Sequence, residues 1–140
     1  MANEIILLDT DFLIEYLYKN PEAIHVINNT PDAFIVASAT TVAEIVKGTL
    51  NKLQLQKVLK EINHLHIIHI DESISEAALQ LLMEYHLSNS AAFNDSLLAA
   101  TAIKYGCKLA TCNTKHFNYI SNLQLLQHNV VPKRKTFFDY

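Results

Sequence analysis

Glycine and proline are scarce in this chain, two and three among 140 residues, and tryptophan is absent. So little turn chemistry leaves few long loops and implies a compact, helix-rich body. Cysteine is almost missing too. Cys107 and Cys112 do not form a CxxC pair, and two thiols are no disulfide framework in a protein this size. They read as reduced thiols. Positive charge is limited: a single arginine, Arg134, and a net charge of −3 argue against a strongly basic nucleic-acid binder. Any such contact has to come from a local lysine patch or a groove between two copies. No apolar run approaches about 18 residues, so no membrane span is expected. The opening MANEIILLD has neither a basic leader nor a small-residue cleavage site, which predicts a cytoplasmic protein without a signal peptide. Half of the residues are hydrophobic, and 140 residues suffice for one real core.

Continuous short apolar runs alternate with helical patterns. IILL (5–8) and AFIVAS (33–38) read as strands buried on both faces. LHIIHID and CKLATC are a third and fourth strand, and LQLLQ is a candidate last one. Between them lie DFLIEYLYKN, PEAIHVINN with proline in its first turn, and TTVAEIVKGTL continuing into NKLQLQKVLKEIN. ESISEAALQLLMEYHL and NDSLLAATAIKYG follow, the latter stopped by Gly106. NTKHFNYI reads as a turn or short helix. In ESISEAALQLLMEYHL, Ile74, Ala77, Ala78, Leu81, Leu82 and Tyr85 form one apolar stripe. Alternating strands and helices predict right-handed crossovers and an α/β fold: a three-layer α/β/α sandwich around a mostly parallel sheet of four to five strands. Residues 1–140 read as one domain, without repeat or linker. The tail 128–140 has no period and stays unassigned.

Ligands of parallel sheets bind beyond the carboxyl ends of the strands. Asp9 directly follows the first strand, Glu44 lies early in the helix after the second, and Asp95 opens the helix before the fourth. Each also has a local explanation. Asp9 or Asp11 suits a helix cap, Thr41-x-x-Glu44 fits a capping box, and Asn94 and Asp95 are both good caps. A cation gives the physical reason to gather them. Two carboxylates about 4 Å apart repel by roughly 4 kcal/mol at an effective dielectric near 20. Oxygen donors of this kind suit Mg²⁺ or Mn²⁺.

LLDTDFLI, TTVAEIVKG and NDSLLAATAIKYGCKLATCNTKHF resemble, in order and spacing over residues 4–117, the motifs of PIN domains. The similarity is closest to the VapC-like toxins of bacterial toxin–antitoxin pairs. The resemblance implies a metal-dependent endoribonuclease in which an acidic cluster binds Mg²⁺ or Mn²⁺ and activates water against an RNA phosphodiester. It assigns the metal to Asp9, Glu44 and Asp95, with Asn113 completing the pocket. Thr10, Asp11, Thr111 and His116 become supporting or substrate-contacting residues. It further implies a homodimer, a cognate antitoxin and an RNA substrate, tRNA among the candidates.

This chain departs from the family at the final motif. The fourth acid is replaced by Asn113 or His116, which favours one tightly held ion over two and motivates an alternative: a catalytically weak PIN fold acting as a binding or assembly module. Among other features, His64, His66 and His69 suggest zinc, but strand geometry sends His69 to the opposite face and no cysteine neighbours them. Lys47, Lys52, Lys57 and Lys60 offer either an RNA-steering patch or an ordinary solvated face. Ser96 and Thr111 flank motif residues and are candidates to orient ligands or touch phosphate. No glycine-rich phosphate loop or Ser-His-Asp order is present.

Overall fold

The computed structural model describes residues 4–138. The opening three residues and the last two of the tail lie outside the described residues. Five strands form one sheet in the order β3-β2-β1-β4-β5, and every pairing is parallel. β1 (Ile5–Leu8) is central, flanked by β2 (Phe34–Ser38) and β4 (Lys108–Ala110). β3 (His66–Ile68) and β5 (Gln124–Leu125) are the edges.

Side-chain alternation along these strands builds two cores. Ile6, Leu8, Ala37 and Ala110 point to one face, where they meet Phe12, Leu13, Ile27, Ile45 and Val58. These come from α1 (Thr10–Leu17), α2 (Pro21–Asn28), α3 (Ala39–Lys47) and α4 (Lys52–Ile62). Leu7, Val36 and Leu109 point the other way, against α5 (Glu72–Asn89) and α6 (Phe93–Tyr105). The continuous apolar runs are thus strands covered on both sides, and the α/β/α sandwich is the observed architecture. Burying each such Leu or Ile contributes about 1.5–3 kcal/mol.

Three local readings need correction. The third and fourth helices are not one helix. α3 ends at Gly48, and Asn51 starts α4 afresh, its side chain accepting from Gln54 N at 2.9 Å while Gln54 Oε1 accepts from Leu50 N at 2.8 Å. The Thr41-x-x-Glu44 box does not form, because Ser38 at the end of β2 caps α3 through Thr40 N, and Thr41 is buried one turn in. Ala77 of the predicted α5 stripe is exposed, and only Ile74 and Ala78 are fully buried.

α6 ends where predicted. Gly106 adopts φ +65, the left-handed conformation that closes a helix cheaply only without a Cβ. Gly106→Ala should therefore cost about 1 kcal/mol in urea unfolding through backbone strain alone, since nothing lies within 4 Å of the added methyl.

Among the described residues the tail has no helix or strand after Leu125, yet it is held by packing. Val130 and Phe137 are buried in the first core, and His128 lies edge-on to Phe12 at 4.9 Å. His128 Nε2–H donates to Thr111 O at 2.6 Å, and its Nδ1 accepts from Val130 N at 3.0 Å. Both bonds are satisfied together by the neutral ring.

Candidate active site

In the order 3-2-1-4-5 the chain leaves β1 for β2 on one side and returns to β4 on the other. The switch point, where a parallel sheet opens a crevice, therefore lies between the carboxyl ends of β1 and β4. Asp9 and Thr111 sit there. Asp9 N donates to Ala110 O at 2.9 Å, extending the β1–β4 ladder by one bond. The carboxylate of Asp9 is then held from two sides, Oδ1 accepting from Thr10 N and Oδ2 from Thr111 Oγ1, both at 2.8 Å. Thr111 is held in turn, its Oγ1 accepting from Asn113 N at 3.0 Å.

Asp11 spans the same crevice. Its Oδ1 accepts from Phe12 N at 2.6 Å and from Cys112 N at 3.1 Å, tying the first turn of α1 to the segment after β4. So Asp9 is the cap of α1, and Asp11 is a crosslink rather than a cap.

Glu44 and Asp95 enter the same cavity from α3 and α6. Freed from the capping box, Glu44 is exposed one turn further along α3. Asp95 does not cap α6, whose cap residue is Ala92 without a side-chain bond, and neither does Asn94. Asp95 Oδ2 instead faces His116 Nδ1 at 3.1 Å, and His116 Nε2 lies 3.2 Å from Asn113 Nδ2. A neutral imidazole protonated at Nδ1 satisfies both contacts.

Together these residues line a cavity of about 450 Å³: Asp9, Thr10, Asp11, Glu44, Asp95, Asn113 and His116. Every site residue expected from the sequence is there except Thr111, which stands directly behind Asp9. Ser96 is not: its hydroxyl donates to Ala92 O.

The electrostatics are those of crowded acids. Burial pushes the Asp9 carboxyl up to about 7, helped by the charges of Asp11 and Glu44 and opposed by the bonds from Thr111 and Thr10. Burial also raises Asp11, against the amides of Cys112 and Phe12 and the imidazoles of His128 and His116. Asp95 is raised by burial as well, with His116 opposing. Thr10 Oγ1, buried at the cavity wall, has no protein partner.

Such a donor set fits a hard divalent cation, because it consists of carboxylate, amide and hydroxyl oxygens and would be relieved by positive charge. Among the described residues, no three acidic, imidazole or thiol groups are already drawn onto one point. Of the histidine triplet only His66 lies in β3, exposed, with His64 before the strand and His69 beyond it.

Sequence reasoning missed one wall. Pro132, Arg134 and Lys135 of the unassigned tail line the cavity, whereas Lys47, Lys52, Lys57 and Lys60 do not. The anchor is Glu15, fully buried in α1, which accepts from Lys133 N and Arg134 N at 3.0 Å and from Arg134 Nη1 at 3.1 Å. The available signal was a lone acid inside the apolar run FLIEYL and a lone arginine in the chain.

An all-parallel five-stranded sheet between helical layers, with acids at its switch point, is the architecture of a PIN fold. Residues 6–122 match the PIN domain family, and the chain belongs to that family. Among solved structures it is similar to a toxin–antitoxin complex from Klebsiella pneumoniae, at 28% identity and TM-score 0.70, covering 91% of this chain and 97% of that one. It is similar to VapBC2 from Rickettsia felis bound to a promoter DNA fragment, at 27% identity and TM-score 0.70, covering 86% and 96%. VapBC-1 from nontypeable Haemophilus influenzae gives 26% identity and TM-score 0.71, again covering 86% and 96%. A comparison with curated proteins returned no match.

Proposed function

We propose that this protein is a Mg²⁺- or Mn²⁺-dependent endoribonuclease, the toxin of a type II toxin–antitoxin pair acting in the cytoplasm. The observation that carries the reading is the convergence of Asp9, Glu44 and Asp95, from three separate elements, on one cavity at the sheet's switch point. Membership of the PIN family and similarity to toxin–antitoxin complexes support it. Among the described residues no helix is long and apolar enough to cross a membrane.

In this reading Asp9, Glu44 and Asp95 hold the ion, and Asn113 offers an amide oxygen at the same rim. The bound ion supplies charge that acidifies water and neutralises the phosphodiester oxygens. Asp9 is kept in position by Thr111 and Thr10, so its orientation does not depend on the ion. Asp11 fixes the crevice width. In this reading His116, whose ring nitrogens contact Asp95 and Asn113, is the group that holds or delivers a proton during cleavage. Large apolar side chains left in water support protein partners: Leu50 and Leu53 at the α3–α4 corner, and Leu79, Met83 and Leu87 at i, i+4 and i+8 on α5. These faces suit the antitoxin and a second copy.

Thr111→Val should weaken Mn²⁺ affinity about 10- to 100-fold, the usual effect of removing a group that orients a ligand. Calorimetric Mn²⁺ titration measures it; an unchanged affinity would show that Asp9 needs no such support. One observation favours the alternative of a weakly active binding module: Asn113 and His116 stand in the last motif with no acid between or beside them in the sequence, so the acids of the cavity all come from the earlier motifs. The Asn113→Asp variant separates the two readings. A large gain in cleavage marks the parent as an attenuated enzyme, and robust parent activity makes the module reading unnecessary.

A further inference from the structure

The cavity carries four carboxylates, and RNA is a polyanion. Unless cations stand near, the substrate backbone is repelled from the acids that are to act on it. The four lysines of α3 and α4 do not line the cavity. The cationic side chains that do are Arg134 and Lys135, and both come from the irregular tail.

Their placement is built rather than incidental. Arg134 Cζ stacks over the Tyr18 ring at 4.2 Å, and its Nη1 bonds Glu15 Oε1 at 3.1 Å. The two backbone amides of Lys133 and Arg134 close on the other oxygen of the same carboxylate. A buried ion pair is a poor source of net stability but a strong determinant of position. Here it spends the chain's one arginine on fixing a segment more than 110 residues away in sequence. Val130 and Phe137 clamp the segment on either side of that anchor. The result is a strap held at Glu15 through Arg134, with Lys135, the next residue, lining the cavity at its exposed rim.

We infer that the strap 132–135 is part of the substrate-binding site, and that Lys135 binds an RNA phosphate next to the one positioned for cleavage. Arg134 and Glu15 act through it as positioning residues. This inference rests on the endoribonuclease reading and deepens it.

The test uses the full-length protein and a fluorescein-labelled, mixed-sequence single-stranded RNA. Binding is followed by anisotropy with Ca²⁺ in place of Mg²⁺, at several salt concentrations, alongside steady-state cleavage in Mg²⁺. Lys135→Ala should raise KM several-fold with kcat nearly unchanged, weaken binding to match, and lower the salt slope by about one phosphate contact. Lys135→Arg should restore the parent values. Circular dichroism melts of Lys135→Ala and Lys135→Arg, run beside the parent, confirm that each variant is folded at the assay temperature. Parent-like binding and salt slope in Lys135→Ala, in a protein whose cleavage is lost in Asp9→Asn, would overturn the strap proposal alone. Faster cleavage by Lys135→Ala would overturn it too, marking Lys135 as a cation that competes with the metal. A parent that neither binds nor cleaves RNA would overturn both readings.

Discussion

Asp9→Asn should abolish RNA cleavage and, at the same time, raise the melting temperature of the metal-free protein above neutral pH. The loss of activity should be at least about 100-fold, since the substitution removes a proposed ligand outright rather than a group behind one. The gain in stability follows from burial. In the folded chain Asp9 is pushed up from 3.8 to about 7, mainly by desolvation and next by Asp11. The folded state therefore binds a proton more tightly than the unfolded one. That contribution is fully present below about pH 3.8 and is lost as the pH rises to about 7. At pH 8 the metal-free parent carries a buried charge that costs up to about 4 kcal/mol relative to the protonated form. Asparagine carries none, and it can still offer an oxygen to Thr10 N and an amide to Thr111 Oγ1. Differential scanning calorimetry at pH 5 and pH 8 should show the variant close to the parent at the lower pH. At the higher pH it should be more stable by on the order of 5 °C or more. Mg²⁺ or Mn²⁺ should raise the parent's melting temperature and leave the variant's nearly unmoved. Equal pH profiles for the two proteins would show that Asp9 does not hold this charge.

Glu15→Ala should be the most destabilising single substitution in α1 that leaves the apolar core intact. The carboxylate is fully buried and accepts from Asn20 Nδ2, Lys133 N, Arg134 N and Arg134 Nη1. Its removal strands a partly buried guanidinium and two backbone amides at once. Breaking a buried pair in this way costs about 3–5 kcal/mol. Burial alone would raise the Glu15 carboxyl, but Asn20, the two amides and Arg134 outweigh it and hold it below its ordinary 4.5. Its contribution is therefore present above about pH 4.5 and lost as the pH falls through the lowered folded-state value. Urea unfolding at pH 7 should show the loss in Glu15→Ala, and the gap between variant and parent should narrow in acid. A difference below about 1 kcal/mol at pH 7 would mean that the tail is held by Val130 and Phe137 alone.

Much of this architecture was legible in the chain. IILL and AFIVAS announce strands covered on both faces because they lack polar alternation, and their separation by helical segments requires parallel crossovers. Asp9, Glu44 and Asp95 could be picked out by motif order. Local pattern could not tell ligand candidates from caps, because T-x-x-E is chemically a valid capping box. Ser38 decided that point by ending β2 one turn earlier and taking the cap itself. The break between α3 and α4 was hidden for a similar reason: Asn51 and Gln54 look like ordinary helix-surface residues until they bond across the loop. The tail was illegible because nothing local fixes it. Its geometry is set by Glu15 and by the first core, both distant in sequence, so no periodicity records it.

The central claim is that Asp9, Glu44 and Asp95 form one divalent-metal centre that cleaves RNA. Purified protein incubated with a structured RNA in Mg²⁺ or Mn²⁺, beside an EDTA control and the Asp9→Asn and Asp95→Asn variants, tests it most directly. The account predicts cleavage that requires the metal and vanishes in both variants. Cleavage that survives EDTA, or that either variant performs as well as the parent, would contradict it.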